Sequence, residues 1–203
     1  RNLFEFAKKQ PCVLFLDEFD TIAKARDDSN EVGELKRIVN SLLQNIDIFS
    51  KDSIVIAATN HEKLLDSAIW RRFEYKINIL PPSPDDIKKL LKLFLNGSIL
   101  VTDQDLNRLS ICFKGKNGSQ IKTLLSKTYK KVILQNRNLT LQDIYHQIFI
   151  ENNINLEKKE AIKYFWKLNK ENQNRFFTVE SISSIVGVTN GYTSRIIRGI
   201  ENE

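Results

Sequence analysis

The sequence predicts an α/β fold with a parallel sheet, followed by a purely helical region. Residues 13–16 and 54–58 are apolar runs that are each followed by polar side chains, with a helix-length amphipathic segment between them. Two strands joined by a helical crossover are typical of a right-handed parallel α/β unit. Three of the chain's four prolines fall in residues 81–84, and beyond them the apolar residues recur at helical spacing.

The composition describes a globular protein. The chain has 203 residues, of which 41% are hydrophobic and 28% charged. Two cysteines and two histidines are too few for a disulfide framework or a histidine-based metal site. No apolar run has the length of a membrane span and no signal peptide is visible, so we expect a cytoplasmic protein without membrane contact. Residues 81–151 carry eleven basic and six acidic side chains, an excess typical of a solvated helix face or of a surface for an acidic partner.

The first strand is predicted to be buried on both faces. Residues 13–16 are all apolar, as in the interior strands of parallel sheets. Because unpaired charges are costly to bury, Asp17 and Glu18 should lie where this strand leaves the sheet. Ligands of open α/β sheets bind at that edge.

The other elements of the first 80 residues follow from similar patterns. A helix ends before Pro11, and a polar loop at residues 24–30 precedes an amphipathic helix. A second buried strand, a short helix and a third strand come next. In chain order, these helices and strands are predicted at residues 1–10, 35–46, 53–60, 64–71 and 75–80.

The helical region is predicted to comprise two parts. Residues 81–151 form a small helical domain of four helices, of which Ser83 caps the first and Thr140 the fourth. Residues 152–203 add a connecting helix and a compact terminal unit. The predicted domains are therefore residues 1–80, 81–151 and 152–203.

Polar side chains end both predicted strands. Asp17 and Glu18 follow the first strand and Asn60 the second, so all three should lie at one edge of the sheet. In nucleoside-triphosphate chemistry, one acid can hold the Mg²⁺ shell while its neighbour polarises water. The alternative is structural, since acids also favour helix N-termini.

In their order and spacing, the motifs resemble those of the AAA family of P-loop ATPases. Residues 12–20 look like the Walker B strand, residues 57–60 like the sensor-1 strand, and residues 65–73 like the second region of homology. The Arg-Arg-Phe ending is most similar to the spastin and katanin branch. Residues 117–121 are similar to the segment that opens the lid helix near the nucleotide. The resemblance covers roughly residues 1–151.

The resemblance implies the C-terminal part of a P-loop AAA sheet domain, a helical lid, and ATP with Mg²⁺ as ligands. Asp17 should hold Mg²⁺ through water, and Glu18 should activate the hydrolytic water. Asn60 should bond that water or the γ-phosphate. Arg71 and Arg72 should reach the γ-phosphate of a neighbouring subunit, because guanidinium stays charged and binds phosphate in a bidentate manner. Two further residues should approach the nucleotide: Gly118 and Ser119.

One departure from the family pattern is large. The chain contains no Gly-x-x-x-x-Gly-Lys-Ser/Thr, the loop that cradles phosphates. We expect a truncated polypeptide that alone binds ATP weakly and hydrolyses little. In complete form, the resemblance implies a homo-oligomeric ring that remodels or unfolds protein partners. A scaffold that keeps the AAA shape without hydrolysis is an alternative.

The terminal segment, residues 178–198, resembles a helix-turn-helix unit. Ser183 is small enough for a helix crossing, and Gly187 makes the turn. Such a unit could direct the ATPase to DNA, dock a protein, or serve structure alone. The second helix would present six candidate nucleic-acid contacts: Thr189, Asn190, Tyr192, Thr193, Arg195 and Arg198.

Overall fold

The computed structural model describes residues 2–7, 10–23, 32–49, 52–65, 67–173 and 175–202. The chain divides into two compact units, residues 1–78 and 79–203. The loop predicted at residues 24–30 lies outside the described residues. Within these described ranges, no helix combines the length and hydropathy that a membrane span requires.

The first unit is an α/β layer built on two parallel strands. Strand β1 pairs with β2 from Val13↔Ile54 through Leu16↔Ala57, which confirms the predicted parallel pairing. Its elements, with one 3₁₀ turn, are α1 (Asn2–Ala7), β1 (Val13–Leu16), α2 (Phe19–Ala23), α3 (Val32–Asp47), β2 (Ile54–Ala57), the 3₁₀ turn Glu62–Leu64 and α4 (Ser67–Trp70).

Only one face of the β1–β2 pair is covered in the described structure, so the prediction of strands buried on both faces is wrong. Successive side chains of a strand point to opposite faces. Leu16 and Ala57 pack against a core formed by Phe19, Val39, Leu43, Leu65 and Ile69. The opposite face carries apolar side chains that are 46–63% exposed, from Val13, Phe15, Ile54 and Ile56.

The third predicted strand, residues 75–80, makes no strand pairing within the described ranges, and this prediction is corrected. A strand needs a neighbour for its backbone groups, and β1 and β2 pair with each other. Apolar side chains of the segment are exposed: Tyr75, Ile77, Ile79 and Leu80. The strand was predicted from β propensity alone, and the segment pairs with no described strand.

The second unit is entirely helical in its described residues. Its helices are α5 (Pro84–Leu95), α6 (Asp103–Cys112), α7 (Gly118–Leu134), α8 (Leu141–Glu151), α9 (Lys158–Glu171), α10 (Val179–Val186) and α11 (Asn190–Glu201). In all but α9, the N-cap side chain accepts a backbone amide, and Ser83 and Thr140 cap α5 and α8 as predicted. These caps satisfy amides that a helix cannot bond internally.

One hydrophobic cluster runs through the second unit from α5 to α11. At its centre, the Phe165 ring contacts Tyr145 of α8 at 5.5 Å and Phe177 at 4.6 Å between centroids. The buried Asn169 amide donates to the Phe177 carbonyl at 2.7 Å and accepts from its N–H at 2.9 Å. Residues 81–151 and 152–203 therefore share a core, and the domain boundary at residue 151 stays a prediction.

Helices α10 and α11 cross through a buried hydroxyl pair. Ser183 Oγ lies 2.8 Å from Thr193 Oγ1, and both residues are buried. Gly187 follows α10 with φ 71°, a left-handed conformation that glycine adopts without a Cβ clash. The small residue at the crossing and the glycine turn lie where the sequence predicted them.

The cap of α8 generates a pH prediction. Arg137 donates to both oxygens of the half-buried Asp143 carboxylate, at 2.7 and 2.6 Å, and Thr140 also donates to it. These bonds, led by Arg137, lower the pKa of Asp143 below its ordinary value of about 3.9. The stabilisation is therefore present above that value and is lost as the pH falls through the lower folded-state pKa.

We expect Asp143→Asn to lower the free energy of unfolding by about 1 kcal/mol at pH 7, because it weakens the cap and its ion pair. The difference from wild type should shrink as urea unfolding is repeated from pH 4 to pH 2. Asp103→Asn is the control, since Asp103 is an exposed partner of Lys92. A difference independent of pH would contradict the assignment to the ionised carboxylate.

Candidate functional site

The candidate site is the edge where β1 and β2 end. Ala58 N–H donates to Leu16 O at 2.8 Å, and Phe19 N–H donates to Ala58 O at 2.9 Å. The backbone thus holds the two strand ends together just where their polar residues leave the sheet. Asp17 and Glu18 emerge from one strand and Asn60 follows the other, and all three are exposed. The sequence predicted this common edge.

Glu18 has a left-handed backbone, with φ 47°. This conformation costs an ordinary residue about 1–2 kcal/mol. Local bonds hold it: the N–H and Oγ1 of Thr21 both donate to Glu18 O, at 2.9 and 2.8 Å, and Glu18 N–H donates to Asp17 Oδ1 at 2.9 Å. The sharp turn leaves the Glu18 carboxylate exposed while the next residue, Phe19, enters the core. Strain of this kind is concentrated at functional sites.

A buried carboxylate that the sequence did not single out lies behind this edge. Asp20 is buried, and Thr59 Oγ1 donates to its Oδ1 at 2.8 Å. The same Thr59 oxygen accepts from His61 N–H at 3.0 Å, so it positions the loop that carries Asn60. Two features of the sequence could have indicated this bond. Thr59 is a polar residue directly before Asn60, and Asp20 is a third acid at the start of α2.

The two arginines have different surroundings. Arg72 donates to Ala68 O at 2.7 Å and to Asp47 Oδ2 at 3.1 Å, so its guanidinium lies against the ends of α3 and α4. Arg71 is exposed, and the described part of the chain offers it no ion pair or side-chain hydrogen bond. Of the pair, Arg71 is the one whose charge is directed to solvent.

An aromatic contact ties the arginine segment to the carboxylate segment. The Phe73 ring meets the Phe19 ring edge to face, with centroids 5.9 Å apart. Phe19 directly follows Glu18, and Phe73 directly follows Arg72. The contact therefore fixes the two charged segments within one packed unit.

Gly118 and Ser119 begin α7 in the second unit. Asn117 and Gln120 form a capping box around them, with both bonds at 2.9 Å. A Cβ added at Gly118 would lie 3.7 Å from Leu90 Cδ1, an ordinary contact. Internal packing does not require glycine at this position, and nucleotide contact by Gly118 and Ser119 stays a prediction.

The structure corrects one predicted nucleic-acid contact. Thr193 is fully buried and bonds Ser183, so it cannot contact a ligand outside the protein. The other five predicted residues of this region differ in environment. Thr189 Oγ1 accepts Tyr192 N–H as the α11 cap, and Tyr192 packs partly into the core beneath Arg195. Three further side chains are exposed: Asn190, Arg195 and Arg198.

The donor atoms at the strand edge suit Mg²⁺. In the described ranges, no group of three or more His, Cys, Asp or Glu side chains could form a closed metal cage. Magnesium does not need one, because it keeps several waters and binds through one or two carboxylates plus substrate phosphates. Asp17 and Glu18 provide two adjacent exposed carboxylates, and Asn60 provides an amide oxygen.

Comparisons with known proteins point to one family. Residues 1–80 match the sequence profile of the ATPase family associated with various cellular activities (AAA). The chain is 42% identical to the uncharacterized AAA family ATPase y4kL of Sinorhizobium fredii over 68% of its own length and 41% of the relative's. It is 35% identical to the ATP-dependent zinc metalloprotease FtsH of a Synechococcus strain, over 69% of its length and 23% of that protein's.

A further relative and a solved structure agree with this match. The chain is 33% identical to the proteasome-activating nucleotidase of Methanopyrus kandleri, over 70% of its length and 34% of the relative's. The crystal structure of the FIGL-1 AAA domain in complex with ADP superposes with TM-score 0.62 and 25% identity. That superposition covers 72% of this chain and 54% of the solved one. The chain thus spans less than half the length of these sequence relatives.

The buried Thr59–Asp20 bond generates a prediction of local stability. Thr59→Val should lower the free energy of local opening at the strand edge by about 1–3 kcal/mol, because Asp20 loses a hydrogen-bond donor. Hydrogen exchange at the amides of Phe19 and Ala58 measures this opening. Asn60→Ala, in the same loop but exposed, is the control and should leave exchange unchanged. Equal exchange in wild type and Thr59→Val would show that the bond does not hold the edge.

Proposed function

Residues 1–80 belong to the AAA family of ATPases, and from this premise we propose that the chain carries the hydrolytic part of an ATP-driven machine that remodels or unfolds proteins. The observation that carries the proposal is the strand edge. There the β1–β2 register and two backbone bonds bring Asp17, Glu18 and Asn60 to one exposed surface. ATP is the substrate and Mg²⁺ its partner ion.

In the proposed mechanism the protein positions groups and balances charge. Asp17 would hold Mg²⁺ through water, and the ion would supply positive charge opposite the transferred phosphate. Glu18 accepts a proton from the attacking water, which the exposed carboxylate can reach because its left-handed backbone turns it away from the core. Asn60 bonds that water or the γ-phosphate, held in place by Thr59.

We propose that the arginine pair acts between subunits of a homo-oligomeric ring. The exposed Arg71 extends to the γ-phosphate bound by a neighbour, where its charge stabilises the transition state. Arg72 is a positioning residue whose bonds to Ala68 and Asp47 fix the segment that carries Arg71. The Arg-Arg-Phe pattern supports a likeness to the spastin and katanin branch.

The 203 residues lack a glycine-rich phosphate loop. We therefore propose that they bind ATP weakly and hydrolyse it hardly at all on their own, with Gly118 and Ser119 adding contacts to the nucleotide. The names of two relatives, a metalloprotease and a proteasome-activating nucleotidase, support a protein substrate.

Glu18→Gln should abolish ATP hydrolysis in the full-length protein while leaving ATP bound. The amide keeps the shape of the side chain but cannot accept the proton of the attacking water. We expect kcat to fall by 10²-fold or more with a nearly unchanged nucleotide Kd. Phosphate release and fluorescent-nucleotide binding provide the two measurements. Glu5→Gln, in α1, is the matched control, and turnover near wild type in Glu18→Gln would refute the role of Glu18.

Mixed assemblies test the action between subunits. Arg71→Ala subunits added to wild type should lower the ATPase rate of the wild-type subunits, because each variant leaves a neighbour without its arginine. The rate is measured as a function of the mixing ratio at constant total protein. Arg37→Ala, at an exposed position of α3, is the control. A rate that falls only in proportion to dilution would place Arg71 outside the neighbour's site.

A further inference from the structure

The positive charge of the second unit is concentrated in one stretch of the chain. Residues 106–142 contain eight basic side chains and no acidic one. Helix α7 carries four of these lysines, and it is the only described helix of the second unit without an acidic residue. Like charges three or four positions apart on a helix repel each other, and an acidic partner would relieve that repulsion.

Helix α7 turns part of this charge outward together with apolar side chains. Its inner side is buried in the core through Ile121, Leu124, Leu125, Thr128 and Val132. On the other side, helical spacing aligns Lys122, Tyr129 and Ile133 in one stripe, with Lys130 and Leu134 beside it. All five side chains are exposed. We call these five residues the α7 outer face.

The two lysines of the α7 outer face, Lys122 and Lys130, form no ion pair with any residue that the structure describes. By contrast, Lys127 of the same helix pairs with Glu151 at 3.0 Å. Other lysines of the second unit also have acidic partners within 4 Å: Lys88, Lys89, Lys92, Lys163 and Lys167. The charge of the α7 outer face is therefore not balanced by the described part of the unit.

Three large apolar side chains lie beside these lysines and face solvent. Tyr129 is 46% exposed, Ile133 52% and Leu134 85%. They fall within six consecutive residues, whereas the rest of the apolar side of α7 is buried. Apolar side chains grouped on a charged surface are typical of a site that binds another macromolecule, because a partner removes them from water.

The combination of charge and apolar surface specifies the kind of partner. Phosphate groups would pair with the lysines but offer no apolar contact to Ile133 and Leu134, which argues against nucleic acid. A helix that lies in a membrane surface needs a broad apolar side, and the broad apolar side of α7 is buried. An acidic amphipathic helix carries carboxylates beside apolar side chains at the same spacing, so it complements both components.

We propose that the α7 outer face docks an acidic amphipathic segment of a partner protein. Carboxylates of that segment pair with Lys122 and Lys130, and its apolar side chains pack on Tyr129, Ile133 and Leu134. The face extends over about 18 Å along α7, the length of a helix of about twelve residues. The site lies in the second unit and does not involve the residues of the strand edge, so its test is separate from the tests of ATP hydrolysis.

The probe for this site is a fluorescein-labelled acidic helix, acetyl-ELLEELFEELLE-amide, titrated with the full chain and followed by fluorescence anisotropy. We expect saturable binding that weakens as the salt concentration rises. Two altered peptides should bind more weakly, one with Gln for every Glu and one with Ser for every Leu and Phe, because each lacks one component. Lys130→Glu and Leu134→Ser should each raise the Kd about tenfold. Both positions are exposed, so neither change disturbs the core.

Lys159→Glu is the matched control. It makes the same change in net charge as Lys130→Glu, at an exposed lysine of α9 outside the α7 outer face, and should leave the Kd unchanged. Equal Kd values for Lys130→Glu, Leu134→Ser and Lys159→Glu would overturn the proposal. So would tighter binding of a labelled DNA duplex or of phosphatidylserine vesicles than of the peptide, if Lys130→Glu weakens it. Sedimentation velocity tests for a second copy of the chain as the occupant, and an oligomeric state that changes in Leu134→Ser would also overturn the proposal.

Discussion

The placement of Phe19 is the constraint on which the first unit depends. Its N–H bonds Ala58 O and so joins the ends of the two strands. Its ring is buried in the core and meets Phe73 edge to face. Because Phe19 points inward, the residue before it, Glu18, must turn outward through a left-handed backbone. One aromatic residue thereby sets the positions of the carboxylates, the Asn60 loop and the arginine segment.

The second unit is held by an apolar core whose arrangement is specified by a few buried polar bonds. Asn169 bonds both backbone groups of Phe177, and Ser183 bonds Thr193 where α10 crosses α11. Apolar contacts alone tolerate several packings, whereas a buried polar atom needs its partner in one geometry. The buried hydroxyl of Tyr145 is an exception to this pattern, since it has no hydrogen-bond partner among the residues that the structure describes.

Parts of the candidate site could be predicted because the relevant signal is local. Asp17, Glu18 and Asn60 directly follow apolar runs, and the ends of parallel strands meet at one edge. The hydrogen bond between Thr59 and Asp20 joins residues 39 positions apart, and no periodic pattern in the sequence predicts it. Thr193 was predicted as a nucleic-acid contact because hydroxyl groups suit phosphate and base-edge contacts. Its partner Ser183, on another helix, makes burial favourable by satisfying the hydroxyl.

By itself, the sequence determined the helices of residues 81–203, the caps of α5 and α8, the parallel pairing of β1 and β2, and the polar ends of the strands. These features depend on neighbours within a few residues or on strong apolar periodicity. Only the tertiary structure decided that one face of β1 and β2 is covered, that residues 75–80 pair with no described strand, and that Arg72 is held at Asp47 while Arg71 is not. Burial and strand pairing depend on which residues lie next to a strand in space. An apolar run has the same sequence pattern whether one or both of its faces are covered.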